Sequence, residues 1–145
     1  SAQLEAPKVG ISQHITAVTP CTSGFRDRLS CRLRDYWYNF ELLDWFRRSK
    51  TMDFIGVNYY SRHLVHVGSW APDKVMGETC SHGHHPLPKN SLGWDIYPEG
   101  LTKILVKLKR YNMPVMITEN GICTDDDKDE NEHGGEHRPP DGDLR

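Results

Sequence analysis

The sequence predicts an α/β fold with parallel strands, and two observations carry the prediction. Short β-branched runs alternate with longer segments of helical periodicity, in the order strand, helix, strand, long loop, helix, strand. The last of these runs, in Met113 to Gly121 (MPVMITENG), is apolar from Val115 to Thr118 and stops at Glu119 before the turn pair Asn120-Gly121. Such a run is expected to be a buried strand of a parallel sheet with a carboxylate at its exit. In closed barrels of parallel strands the reactive groups sit at those exits. By spacing alone a second reading stays open, in which Glu119 is the first solvated residue of a loop.

In chain order, Val9 to Ile15 (VGISQHI) reads as the first strand, followed by a turn-rich segment from Thr19 to Gly24. Phe25 to Lys50 contains neither Gly nor Pro. Leu29, Leu33, Tyr36, Phe40 and Leu43 recur there at steps of four and three, which predicts one amphipathic helix. Asp27 near its start and Arg47, Arg48 and Lys50 at its end complement the helix dipole. Its aromatic residues, Trp37 and Trp45 included, are expected to be packing groups.

Asp53 to Tyr60 (DFIGVNYY) reads as the second strand, and a period of two puts Phe54, Gly56, Asn58 and Tyr60 on one face. A glycine inside a strand marks a close approach of backbone or ligand, or a bend. Ser61 to Trp94 reads as a long irregular connection with three prolines and with His82, His84 and His85 close together. A solvated loop is expected there, and no metal is assigned. Pro98 and Glu99 suit a helix start, Leu101, Ile104, Leu105 and Leu108 form its apolar stripe, and Asn112 and Pro114 end it.

Composition bounds the function. With 37% hydrophobic and 26% charged residues the chain has the balance of a globular domain, and no run is long enough for a transmembrane helix. Residues 1–124 hold 15 basic and 11 acidic side chains, a net +4, and residues 125–145 hold 3 and 9, a net −6. A body so weakly basic gives no reason to expect nucleic-acid binding, and no membrane partner is expected. Two segments follow: a folded unit over 1–124 and an acidic, Gly- and Pro-rich tail or loop over 125–145, expected to be disordered.

Cys21, Cys31, Cys80 and Cys123 show no paired spacing, so free thiols in a reducing compartment are expected. A cytoplasmic location is favoured because Ser1 to Pro7 lacks a basic start and apolar core. The chain begins at Ser1 rather than Met, which leaves an upstream leader open.

Three motifs carry a resemblance: DFIGVNYY at Asp53 to Tyr60, GWDIYPEGL at Gly93 to Leu101 and ITENG at Ile117 to Gly121. In this order and spacing they resemble glycoside hydrolase family 1, the β-glucosidase family. The resemblance implies a partial (β/α)8 TIM barrel, about three strands with outer helices, running from the fifth to the seventh barrel strand. It implies a retaining β-glycosidase acting on β-glycoside small molecules without a cofactor. Glu119 would be the catalytic nucleophile, Tyr60 the phenol that hydrogen-bonds it, and Asn58 a polar group of the sugar site. His14 stands where relatives often carry Asn.

The family's acid/base Glu belongs to an Asn-Glu-Pro motif, and no such triplet occurs in this sequence. Nor does the family's Trp-rich eighth-strand motif. Glu99, as a helix-start residue, is expected at the opposite end of the barrel from the strand exits. The remainder of the barrel would therefore be needed for turnover. The alternative expectation is a catalytically inactive truncated product that binds a sugar or a protein partner.

Overall fold

The computed structural model describes residues 6–68, 75–80 and 87–124. The three clustered histidines and the acidic segment 125–145 lie outside the described residues. Strands β1 (Gly10–His14), β3 (Phe54–Tyr59) and β6 (Val115–Asn120) form one sheet in the order β1-β3-β6, parallel throughout. Helices α1 (Phe25–Asp35) and α2 (Glu41–Ser49) lie between the first two of these strands. Helix α3 (Pro98–Leu108) precedes the last. The alternation expected from sequence is thus the architecture found.

Period-two patterning sorts β3 into two faces. Ile55, Val57 and Tyr59 are buried, while Phe54, Asn58 and Tyr60 on the other side are half-buried. The buried face packs against Phe40 and Leu43 from the first helical segment and Ile104, Leu108 and Tyr111 from the second, with Ile15 and Met52 completing the core. Gly56 resolves into a close approach of backbone. A Cβ there would lie 2.9 Å from the Ser12 Cα of β1.

Four expectations need correction. First, β6 is not a buried strand, since all six of its residues are exposed. It is the edge of this sheet, and apolar character alone cannot supply a neighbour to cover it. Second, the segment 25–50 is not one helix. A π-helical turn over Tyr36–Phe40 separates α1 from α2.

The cause of that turn is bonding to a segment distant in the chain. Asn39, fully buried there, accepts a hydrogen bond from the Thr16 N–H (3.0 Å) and donates to the Thr16 carbonyl (2.8 Å). Gln13 Nε2 donates to the Tyr38 carbonyl (3.0 Å) that the widened turn makes available. Trp37 and Trp45, expected to pack, are 59% and 53% exposed.

Third, the segments read as turn and loop contain strands β2 (Ala17–Pro20), β4 (Arg62–His66) and β5 (Glu78–Thr79), which form a second sheet in the order β2-β4-β5. Here β2 and β4 prolong β1 and β3 past their exits, with Ile15 N–H bonding Asn58 O (3.0 Å) across the join. Arg62, His63 and His66 mask the strand pattern of β4.

Fourth, Cys21 and Cys80 form a disulfide that ties β2 to the end of β5, while Cys31 and Cys123 are free. The expectation of a reducing compartment, which rested on four thiols, loses that support. Burial pushes the Cys31 thiol up to about 11, with Asp27 and Asp35 nearby adding to the shift.

Near the disulfide, Asp27 is buried and receives the Val67 N–H (2.9 Å), the Thr22 N–H (3.0 Å) and the Thr22 hydroxyl (2.7 Å). Burial pushes its carboxyl up, but these donors and His66 outweigh it and hold it below the usual carboxylate range. This anchors the start of α1 to the end of β4. No helix among the described residues is long and apolar enough to cross a membrane.

Candidate active site

The polar groups gather at the carboxyl ends of the parallel strands. His14 of β1 pairs in register with Asn58 of β3, and Asn58 with Glu119 of β6, so the three lie in one row across the sheet. A β-bulge interrupts β6 at this row. Val57 pairs with Ile117 but Asn58 pairs with Glu119, leaving Thr118 as the extra residue. The bulge turns two successive side chains toward the same face: Thr118 bonds Asn58, and Glu119 bonds Tyr60.

The Tyr60 hydroxyl donates to Glu119 Oε2. That bond raises the Tyr60 phenol pKa, with burial and the Glu119 charge adding smaller contributions. Tyr60 is therefore a protonated donor throughout the neutral range. Donation to the carboxylate fixes its orientation. Asn58 Oδ1 in turn accepts from Ser12 Oγ (2.8 Å) and Thr118 Oγ1 (2.5 Å).

A cavity of about 470 Å³ opens beside Tyr60, lined among others by His14, His63, Lys89, Trp94 and Asp95. Tyr60 stands between two rings, His14 at 5.7 Å and Trp94 at 6.3 Å between centroids. Trp94 is held by a tight turn in which Asn90 Oδ1 accepts from the Leu92 N–H (3.1 Å) and the Trp94 N–H (2.9 Å). The cavity floor is braced by Asp95, whose carboxylate meets Arg62 at 2.7 Å and Lys89 at 2.9 Å. Burial raises the Asp95 pKa, and the two cations overcome that effect and hold it low. Burial also lowers the His63 pKa, helped by the charges of Arg34 and His14, so this imidazole is neutral at pH 7.

Sequence reasoning named Asn58, Tyr60 and Glu119, and the fold brings all three together. It missed Ser12 and Thr118. A period of two in VGISQHI puts Ser12 on the His14 face, and that was the available signal. Arg62 and Asp95 carried none, because their pairing spans 33 residues.

Glu99 requires a correction of place. A helix that follows a strand runs back along the sheet, so its start lies at the strand's exit. Here the Tyr59 hydroxyl at the end of β3 donates to the Tyr97 carbonyl (2.5 Å) beneath the first turn of α3. Gly100 lies so close to that hydroxyl that any Cβ would collide with it. Glu99 is thus at the same end as Glu119, exposed, and not among the cavity lining. Among the described residues no group of three His, Cys, Asp or Glu could hold a metal ion.

Parallel strands with outer helices and functional groups at the strand exits define part of a (β/α)8 barrel. The family model "Glycosyl hydrolase family 1" matches residues 22–138, and the chain belongs to that family. The chain is 51% identical over 77 residues to beta-glucosidase A of Thermotoga maritima, an alignment that covers 52% of this chain and 16% of that protein. Among solved structures, the beta-glycosidase from Pyrococcus horikoshii matches with TM-score 0.72 and 35% identity, over 83% of this chain and 31% of that one. The family 1 glucosidase from Thermotoga maritima matches with TM-score 0.65 and 31% identity, over 81% and 32%. The chain thus spans about a third of the length of the solved structures it matches.

Proposed function

We propose that this chain carries the nucleophile strand of a retaining β-glycosidase that hydrolyses terminal β-glycosides. The observation that supports this most directly is the Tyr60 hydroxyl donating to Glu119 at the exits of two adjacent parallel strands. In the first step the Glu119 carboxylate attacks the anomeric carbon, the glycosidic C–O bond breaks, and a glycosyl ester forms. The departing oxygen takes a proton from a second carboxyl, which then deprotonates the water that hydrolyses the ester. Retaining geometry requires that carboxyl about 5 to 5.5 Å from the first. Asn58 would hydrogen-bond a sugar hydroxyl, and the cavity beside Tyr60 would receive the leaving group.

The second carboxyl would come from the rest of the barrel. Residues 1–124 are then one part of a (β/α)8 unit. The decisive experiment joins this chain to the remaining segments of the Thermotoga maritima β-glucosidase A barrel and measures aryl β-glucoside hydrolysis. Glu119→Gln should abolish it, and a 2-deoxy-2-fluoro glucoside should label Glu119 in the unsubstituted chimera. Activity that survives Glu119→Gln would exclude the residue as nucleophile.

One observation favours a second reading, in which the chain binds a partner without chemistry. On the β6 edge strand Met116 and Ile117 are exposed at 55% and 47%, a surface suited to docking. A purified chain that is monomeric, folds cooperatively and binds a glucoside without cleaving it would support it, and rapid cleavage by the chain alone would reject it.

A further inference from the structure

The proposed reading gives Asn58 a place in the sugar site but leaves open what aims its amide. Three oxygens meet there: Ser12 Oγ and Asn58 Oδ1 at 2.8 Å, Thr118 Oγ1 and Asn58 Oδ1 at 2.5 Å, and the two hydroxyls at 2.7 Å from each other. Each hydroxyl has one proton, so two protons serve three contacts. Either both go to Oδ1, or one hydroxyl donates to the other and that one donates to Oδ1. In every arrangement the amide oxygen is the acceptor that faces the hydroxyl pair. The Asn58 Nδ2 has no hydrogen-bond partner among the described residues, and its two N–H donors face away from the pair.

Two features of the backbone assemble the cluster. Gly56, opposite Ser12 in register, lets β1 approach β3 closely. The register of β6, with Ile117 opposite Val57, puts Thr118 over the same face as Asn58, and the bulge that follows brings Glu119 to that face as well, where regular alternation would have sent it to the other side. The hydroxyls thus come from three-strand geometry rather than from any local motif.

Resting on the glycosidase reading, we infer that Ser12 and Thr118 are positioning residues: their paired hydroxyls hold the Asn58 carboxamide with its oxygen inward and its Nδ2 presented as a donor to a sugar hydroxyl. The ligand group selected is a hydroxyl oxygen able to accept. A sugar whose hydroxyl at that position is replaced by hydrogen loses the bond, and one with fluorine keeps only a weak acceptor.

The test is a double-mutant cycle in the chimera. Thr118→Val keeps the shape and removes the hydroxyl, and it should lower kcat/KM about tenfold, the size of one hydrogen bond. Thr118→Ser should restore most of the activity. Ser12→Ala should cost a similar or smaller factor. In an Asn58→Ala background Thr118→Val and Ser12→Ala should cost nothing further, because they act through the missing amide. Full additivity in that background would overturn the proposal, as would equal loss in Thr118→Val and Thr118→Ser. Loss of all activity in Glu119→Gln with additive Thr118 effects would defeat this inference alone, whereas activity retained in Glu119→Gln would defeat the nucleophile reading beneath it.

A readout on the chain by itself covers the case in which the chimera does not turn over. The Asn58 side-chain NH2 resonances, identified by their disappearance in Asn58→Ala, should move in Thr118→Val and return toward their original positions in Thr118→Ser. Resonances that stay in place in Thr118→Val and in Ser12→Ala would overturn the assignment.

Discussion

Strands β3 and β6 look alike in sequence and differ in every physical respect that matters for stability. Each is a short β-branched run ending in polar groups, FIGVNY in one and VMITEN in the other. Yet Ile55 and Val57 are fully buried, and Ile117 is 47% exposed. The difference lies in neighbours. β3 has a strand on each side and helices against one face, whereas β6 has β3 alone. Burial is a property of position in the sheet, and the residues that look most hydrophobic need not stabilise the chain that contains them. What ties β6 to β3, apart from the ladder itself, is the polar cluster: Thr118 to Asn58, Glu119 to Tyr60, and Asn120 Nδ2 to the Tyr59 carbonyl at 2.8 Å.

The sharpest contrast is a paired truncation. Ile55→Ala should destabilise the chain by about 2 to 5 kcal/mol, through lost burial and the cavity left behind. Ile117→Ala should cost at most about 1 kcal/mol, because its side chain is already largely in water. Urea denaturation of both variants measures the pair. Equal costs would mean that β6 is covered in solution.

A smaller effect separates two glycines. Gly56→Ala drives a Cβ to 2.9 Å from the Ser12 Cα and should cost about 1 to 3 kcal/mol while disturbing the Ser12 hydroxyl. Gly121→Ala, just past β6, has nothing within 4 Å of its new Cβ and should change stability by no more than about 0.5 kcal/mol. Thermal melts of the two variants decide this, and a near-neutral Gly56→Ala would mean that β1 and β3 separate more easily than the sheet geometry implies.

The smallest effect concerns the bond that links the strand exits. Tyr60 has its pKa raised by donating to Glu119, so the stabilisation is fully present below the unfolded phenol value of about 10 and is lost as pH rises through the folded one. Amide exchange protection in β6 should therefore decline in strongly alkaline solution relative to β3. Tyr60→Phe should have that lower protection at all pH values and lack the alkaline step. A step of equal size in Tyr60→Phe would assign the titration to another group.

Much of this molecule was legible before folding. The alternation of β-branched runs with helical stripes gave the parallel α/β order, and period-two patterning put Asn58 and Tyr60 on one face, but the roles of Asn58, Tyr60 and Glu119 came from the resemblance that DFIGVNYY and ITENG carry, because spacing alone left Glu119 open to a loop reading. Ser12 was half legible, since its face could be read but not its partner. The π-helical turn was not, because its cause is Asn39 meeting the backbone of Thr16, 23 residues away. Nor were β2 and β4, whose polar residues hide a pairing between segments 45 residues apart.

The sequence by itself determined the alternation of β1, β3 and β6 with helical segments, their order in the chain and the polar tips that gather at one end. Tertiary structure alone decided that β6 lies exposed at an edge, that Cys21 meets Cys80, and that a bulge turns Thr118 and Glu119 to the same face. The reason is one of range. Backbone preference and side-chain alternation act between near neighbours, whereas coverage, cross-linking and register depend on which distant segments the chain brings together.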